Sequence, residues 1–406
     1  MKYSLIVVGG GIAGVAAAVS AKRLGMSVLL VEKSGSLGGA MTQALVYPYM
    51  RYTADNGKKL LSDGIFTEMR QRKEGYNETS WEAYRFVFDD MVSEAGVDVL
   101  FHTTVFKVNT EGRKILSIEA TCKASTLKLE ADYFIDCSGD GDLFALAGCD
   151  YLLGRESDGL SQPMTTCFRL GNVDVELFES TRKELQALYE QYQRENKITN
   201  PRENILAFFG IADGVVHFNT TRVIRLNPID PFDLSKAEML ARKQIYEMVD
   251  FLKSNSPAFE KCYIASIASD IGVRESRKLR GEHILTAEEL IAMTRFEDTV
   301  ALGNYDIDIH NPDGKGTYIR SFNDSECYCI PYRSLLPKEY DNMLVAGRCI
   351  SATHEAQAAI RIMPICACMG QASGTAAWLA YTASTALNAI DTEKLRKTLK
   401  ANGAAV

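Results

Sequence analysis

Apolar and polar positions change rhythm several times along this chain, and the first change sets the frame. Leu5, Ile6, Val7 and Val8 form an unbroken apolar run, Gly9, Gly10 and Gly11 interrupt it, and residues 12–19 are then dense in Ala, Val and Ile. A continuous β-branched run fits a strand buried on both faces, and the alanine-rich stretch fits a helix packed against it. Ser27-Val28-Leu29-Leu30-Val31-Glu32 repeats the buried strand and ends it on an acid. Further on, the spacing predicts amphipathic helices over 58–72 and 80–95 and a strand over 97–101.

Between residues 104 and 129 the pattern shortens to alternating segments at 105–108, 115–120 and 126–129. They are broken by Glu111-Gly112 and by Lys123-Ala124-Ser125, which predicts an antiparallel meander. Residues 131–136 return to a buried strand and run into a second glycine box, Cys137-Ser138-Gly139-Asp140-Gly141-Asp142. From residue 153 the texture differs: a strand at 164–170, a helix over Val175–Arg194, short strands between 205 and 226, and a long helix over 235–253. Met343-Leu344-Val345-Ala346-Gly347-Arg348 is again a buried strand closed by glycine, followed by a long helix over 365–381 and a terminal amphipathic helix over 391–400. The chain therefore divides into a first domain that opens at 1–152, an inserted cap at 153–326, and a return to the first domain at 327–406.

Composition narrows the function. The 406 residues are 46% hydrophobic and 24% charged with a formal net charge of -7, an ordinary globular balance without the basic footprint that nucleic acid or an acidic membrane demands. No stretch offers 18 uninterrupted apolar residues, and the glycines within the first apolar segment argue against a secretory leader. Ten cysteines without a single C-x-x-C read as reduced thiols of a cytoplasmic protein. The closer pairs, Cys327-x-Cys329 and Cys366-x-Cys368, read as packing, and no metal site is expected. A small molecule is the expected partner.

The glycine run reads as G-x-G-x-x-G. Gly9 permits the tight turn, Gly11 lets a pyrophosphate approach the backbone, and Gly14 lets the helix sit close to its strand. The N–H groups at the helix start, near Ile12 and Ala13, favour an anion without any basic side chain. Glu32, about 20 residues on, stands where a ribose-binding carboxylate belongs. The loop after it, from Lys33 through Gly38, Gly39, Ala40, Met41 and Thr42, is again rich in glycine and suits an extended ligand lying along it. No G-x-S-x-G elbow occurs, and the five histidines form no H-E-x-x-H, so hydrolase and zinc-peptidase chemistry find no support.

Four separated segments, 6–14, 31–39, 136–142 and 342–374, together resemble the FAD-dependent oxidoreductases of the glutathione-reductase structural class. Within that class the chain is similar to the broad bacterial FAD-dependent oxidoreductase family related to fumarate reductase flavoproteins. Gly272-Val273-Arg274-Glu275-Ser276-Arg277 resembles part of that family's cap. The resemblance implies an α/β fold: a Rossmann-like FAD-binding domain with a parallel sheet and an antiparallel meander, plus an inserted α+β cap. It extends the FAD contacts to Val105, Ser138, Gly139, Asp140, Gly347, Arg348, Met363 and Ile365. In the wider class the last strand ends in Gly-Asp, whose carboxylate holds the ribityl chain, whereas this chain has Gly347-Arg348. Either Arg348 reaches a phosphate oxygen or Asp140 serves the ribityl hydroxyls. Several glycine-rich strand ends also suit an extended FAD better than NAD, and the helix starting near Ile365 would turn its positive end toward the flavin ring.

The expected activity is hydride transfer between a small organic substrate and flavin N5, with a separate electron donor or acceptor. Arg361, just before the last long helix, corresponds to the arginine that anchors a substrate carboxylate in the fumarate reductase relatives. His354 is the candidate proton carrier and Arg274 a further substrate contact. Two other readings remain: an FAD-binding subunit without turnover of its own, or an NAD-using biosynthetic enzyme of the same fold, like the thiazole synthases.

Overall fold

The computed structural model describes residues 2–76 and 80–406. Its central sheet has the strand order Asp98–Leu100, Val28–Val31, Lys2–Val8, Ser125–Asp136, Lys114–Cys122, Thr104–Glu111, and Met343–Val345 pairs with the end of Ser125–Asp136. The first four strands are mutually parallel, as is Met343–Val345, and the meander strands are antiparallel.

The segments expected separately at 126–129 and 131–136 are one strand, because no glycine, proline or turn residue divides them. Its first half alternates exposed and half-buried positions and pairs with Lys114–Cys122. Its second half is nearly continuously buried and pairs with Lys2–Val8. One strand thus carries the meander into the parallel sheet and ends at the second glycine box. The expected helix over 58–72 begins only at Ile65, because Lys59–Leu60 pairs with Thr53–Ala54 and Gly64, at φ +69°, turns the chain into the helix.

Ile12–Arg23 packs along Met363–Ala383 with the two backbones nearly touching. A methyl group on Gly370 would overlap the carbonyl oxygen of Ala13, and one on Gly374 that of Ala17. Ser20 Oγ lies 3.0 Å from Thr375 Oγ1 and donates to Gln371 O at 3.2 Å. Small residues on both helices allow this approach, which places the N-terminus of the second helix beside the first glycine turn. Gly370→Ala is therefore expected to destabilise the protein by about 1–3 kcal/mol through overpacking, measured by urea denaturation.

The cap has its own core. Ala207–Ala212, Val215–Phe218, Phe168–Gly171 and Tyr263–Ile267 form an antiparallel sheet backed by Val175–Arg194 and Pro231–Asn255. Asp174 and Asp230 cap those two helices, and Pro231 occupies the first turn of the second, where its missing N–H costs nothing. Phe168, Phe178, Phe218 and Phe259 fill the space between sheet and helices. Leu279, Leu285, Val300 and Ala301, although in the stretch expected to be cap, pack in the core of the first domain. The reason is local: Thr299–Gly303 pairs with Tyr328–Pro331 against the helix Met363–Ala383.

Candidate active site

At the end of Lys2–Val8 the chain turns at Gly9, φ +99°, whose N–H donates to Val31 O at 2.7 Å. Methyl groups on Gly9 or Gly14 would overlap backbone, Cys137 O in the first case and Gly9 O in the second. Gly11 differs: a Cβ there meets nothing nearer than Gly39 Cα at 3.9 Å. Packing within the protein therefore explains Gly9 and Gly14 but not Gly11, which faces open space. The helix it caps has no side-chain cap and no acid in its first turn, leaving the first N–H groups for an anion. The second glycine loop closes on the first, since Gly38 N donates to Gly10 O at 2.9 Å and a Cβ on Gly39 would lie 2.9 Å from Gly11 Cα. Ala40 and Met41 follow in a short 3-10 turn, and Thr42 Oγ1 fastens the loop by donating to Leu37 O at 2.6 Å.

Glu32 is 6% exposed. Its Oε2 accepts from Gly10 N at 2.6 Å and its Oε1 from Ser34 N at 2.7 Å, so one carboxylate ties both glycine loops to the strand end. It lines a cleft with Gly9, Lys33, Val105, Ser138, Thr103, Thr104 and Asp142, which brings together five of the residues expected to contact FAD and adds Thr103 and Thr104, which local patterns did not mark. Glu32→Ala is expected to weaken FAD binding by roughly 1.5–3 kcal/mol, the worth of a hydrogen bond to a charged group. Equilibrium dialysis of the apoprotein against FAD measures it, and an unchanged Kd would remove Glu32 from the ribose site.

The second glycine box is held by Asp136. Its Oδ1 accepts from Ser138 N and Ser138 Oγ and its Oδ2 from Phe144 N, while burial pushes its carboxyl up to about 6. Asp140 and Arg348 do not offer themselves separately to a ligand. Arg348 Nη2 is 2.7 Å from Asp140 Oδ1, and the Ser276 hydroxyl donates to the same oxygen while accepting from Arg348 Nη1. Burial alone would raise the Asp140 carboxyl, but the charges of Arg348 and Lys33 and the Ser276 hydroxyl outweigh it and hold it below the ordinary carboxylate range. Arg348 also explains Gly139, where a Cβ would lie 3.0 Å from Arg348 Nη2. Gly347, φ +95°, turns the chain beside Ala13.

On the cap side, Arg274 and Arg361 come close to each other and to two arginines that local patterns did not mark, Arg202 and Arg222. Burial, then Arg361, then Arg202 push Arg274 down to about 9; burial pushes Arg222 down to about 10. Arg274 donates to Pro163 O at 2.7 Å, to Thr165 Oγ1 and to Asn219 Oδ1 at 3.3 Å, all uncharged acceptors. Arg361 meets Asp308 Oδ2 at 3.8 Å, and its Nε is buried without a partner. His310 sits among them. Its Nδ1 is 3.3 Å from donors on both Arg202 and Arg222, and its Nε2 is 3.5 Å from Asp308 Oδ2. Burial and the nearby Arg274 push His310 down to about 3, so the ring is neutral and can accept from the two arginines. Ion pairs with the four guanidinium groups come, among the described residues, from two carboxylates only, Glu203 on Arg222 and Asp308 on Arg361.

His354 lies elsewhere. It opens the helix His354–Ile360, and its Nδ1 is 2.8 Å from Oε2 of fully buried Glu275, which also pairs with buried Lys278. Arg274 and Glu275 are consecutive but take different partners: Arg274 donates to Pro163 O, Thr165 and Asn219, while Glu275 pairs with His354 and Lys278. Met363 and Ile365 stand in the first turn of the helix Met363–Ala383, which has Pro364 at its start and no side-chain cap. Among the described residues no group of three or more His, Cys, Asp and Glu is placed to hold a metal ion, and no helix is long and apolar enough to cross a membrane.

A family model described as FAD dependent oxidoreductase matches residues 4–399. Among solved structures, a geranylgeranyl bacteriochlorophyll reductase-like protein from Thermoplasma acidophilum is 12% identical, with 98% of this chain and 83% of that one covered and a TM-score of 0.46. The flavin-dependent brominase Bmp2 is 11% identical, with 99% and 83% covered and a TM-score of 0.48. The anhydrotetracycline hydroxylase OxyS from Streptomyces rimosus is 12% identical, with 99% of this chain and 65% of that one covered and a TM-score of 0.45.

Proposed function

The chain belongs to the FAD dependent oxidoreductase family, with FAD as its cofactor, and from that premise we propose that it oxidises or reduces a small organic anion bound beneath the cap by Arg274 and Arg361. The observation that carries this reading is the charge balance of the arginine cluster: four guanidinium groups meet two carboxylates in a largely buried space. Buried charge without a partner is costly, and an anionic substrate would supply the partner.

FAD, when bound, supplies the two-electron acceptor or donor. Gly11 would leave room for its pyrophosphate, and Glu32 would accept from its ribose hydroxyls. The Arg348–Asp140 pair, already neutralised within itself, offers hydrogen bonds rather than net charge. The uncapped start of Met363–Ala383 presents N–H groups and the positive end of a long helix to the flavin ring, which favours negative charge there. Arg361 precedes that helix directly, so a carboxylate on its guanidinium is held at the same helix end. A second, separate partner resets the cofactor.

Anaerobic titration of the purified holoenzyme with paired carboxylates and their methyl esters, followed by flavin absorbance, tests the reading. Reduction of the oxidised flavin, or reoxidation of the reduced flavin, by acids but not by their neutral esters is the expected outcome. Equal rates with the esters would remove the arginine cluster from substrate binding, and no response to any redox-active organic compound would favour a flavin-holding subunit.

A further inference from the structure

The hairpin of Ile307–His310 and Thr317–Arg320 stands outside both large sheets. Among the described residues its two strands pair only with each other, and a two-stranded hairpin is marginally stable unless its surroundings hold it. What holds it differs from end to end. The base is fixed to the first domain: Ile307, Ile309 and Phe322 pack on that domain's core, Arg51 donates to Asp306 Oδ1 at 2.6 Å and to Phe322 O at 3.1 Å, and Asn304 Nδ2 donates to Thr53 O at 2.8 Å. The tip, residues 311–316, rests instead on the cap. Arg222 Nη1 donates to Gly314 O and Gly316 O, both at 2.9 Å, and Arg155 pairs with Asp313. Arg225 Nε lies 3.5 Å from Asp313 Oδ1, and Lys315 Nζ donates to Gln193 Oε1 at 3.3 Å. Of the six tip residues only Pro312 is buried.

Between base and tip the hairpin covers the arginines. Asp308 reaches Arg361, and His310, two residues on along the same strand, reaches Arg202 and Arg222. Arg202, Arg222 and His310 are 5%, 1% and 8% exposed, so an anion reaches this side of the cluster only after something moves. Arg222 is committed to closure: its Nη1 holds the tip carbonyls and its Nη2 faces Glu203, His310 and Thr317. Moving the base would pull Ile307 and Phe322 out of a core, whereas releasing the tip breaks mainly polar contacts. Segments with few buried apolar contacts open most readily, and here that segment is the tip.

We propose that the distal half of the hairpin, residues 310–317, is the gate of the anion site, opening when its tip leaves Arg222 and Arg155 and closing over the bound anion. The proposal rests on the reading that Arg274 and Arg361 bind the substrate. In the open state Arg202 and Arg222 face solvent and attract the anion. In the closed state His310 returns to the two arginines and water is excluded.

The test locks the tip. In FAD-loaded Cys122→Ser protein, used because Cys122 is the least buried thiol, Arg155→Cys and Asp313→Cys are joined by a short bis-methanethiosulfonate. Flavin reduction or reoxidation is then followed with the pairs of acids and methyl esters described above. The joined protein should react with the acid slower by about tenfold or more than the same protein with each thiol capped by methyl methanethiosulfonate, because opening is barred. FAD content should be unchanged, and dithiothreitol followed by desalting should restore the rate. Amide exchange of residues 310–317, read by mass spectrometry, should slow by a similar factor on joining. An unchanged reaction rate or unchanged exchange on joining overturns the gate. The esters keep the two readings apart: a preference for acids without any effect of joining removes the gate alone, whereas equal slowing of acids and esters keeps the gate and removes the arginines from substrate binding. If neither acid nor ester reacts, the exchange measurement decides.

Discussion

Gly11→Ala should yield a folded protein that retains little FAD, whereas the same methyl group at Gly14 should prevent the fold from forming. The two positions share one motif and differ in what surrounds them. A Cβ on Gly14 overlaps the carbonyl oxygen of Gly9 and lies 3.3 Å from Cys137 Cβ, so the helix Ile12–Arg23 would have to leave its strand. That belongs to the uncommon class of substitutions that cost more than about 4 kcal/mol. At Gly11 the nearest protein atom is 3.9 Å away, an ordinary contact, and thermal stability of the apoprotein should stay within about 0.5 kcal/mol of the parent. The methyl would instead stand where a pyrophosphate approaches the helix start. Losing about two charge-assisted hydrogen bonds at ~1.5 kcal/mol each lowers FAD affinity by roughly a hundredfold. Circular dichroism melting and the flavin-to-protein absorbance ratio separate the outcomes. A Gly11→Ala protein with a full complement of flavin would show that the phosphates lie elsewhere.

The legible part of the site was the part built from contiguous residues. A strand, a glycine turn and a helix are neighbours in sequence as well as in space, so Gly9, Gly11 and Gly14 could be given roles from spacing alone, and Glu32 follows from the end of the next strand. Val175–Arg194 has the bounds expected from the sequence, and Asp174 caps its start. The single strand Ser125–Asp136 was misread as two because its burial pattern changes midway, where its partners change from the meander to the parallel sheet. The arginine cluster was only half visible. Arg361 and Arg274 occur in stretches that resemble a family. Arg202, Arg222 and His310 occur in cap segments without local pattern and meet only through tertiary folding. His354 shows the complementary limit: its partner, buried Glu275, is 79 residues away in sequence, and no local pattern pairs the two.

The cluster makes a two-sided prediction in which stability and function move in opposite directions. Arg361→Lys keeps the charge and loses the planar fork, and Arg274→Met loses both. In each, substrate-driven change of the flavin redox state should slow by about a hundredfold or more while FAD content is unchanged, since truncating one partner of a buried ion pair costs 2–5 kcal/mol. Arg274→Met should at the same time stabilise the substrate-free protein. Burial and the charges of Arg361 and Arg202 push Arg274 from its ordinary value down to about 9 in the folded state. The unfolded chain therefore binds that proton more tightly, and at neutral pH the charged guanidinium opposes folding. That cost is in full force below about 9 and declines as pH rises from there toward the ordinary arginine value, where the unfolded arginine also loses its proton. Methionine removes the charge and keeps most of the apolar volume, so the melting temperature at pH 7 should rise by about 2–5 °C, with the excess shrinking above pH 9. A substrate-like carboxylate should raise the melting temperature of the parent protein by mass action and leave that of Arg274→Met unmoved. If Arg274→Met melts lower than the parent and is still stabilised by the anion, the guanidinium is a structural strut for Thr165 and Asn219, and the substrate lies elsewhere.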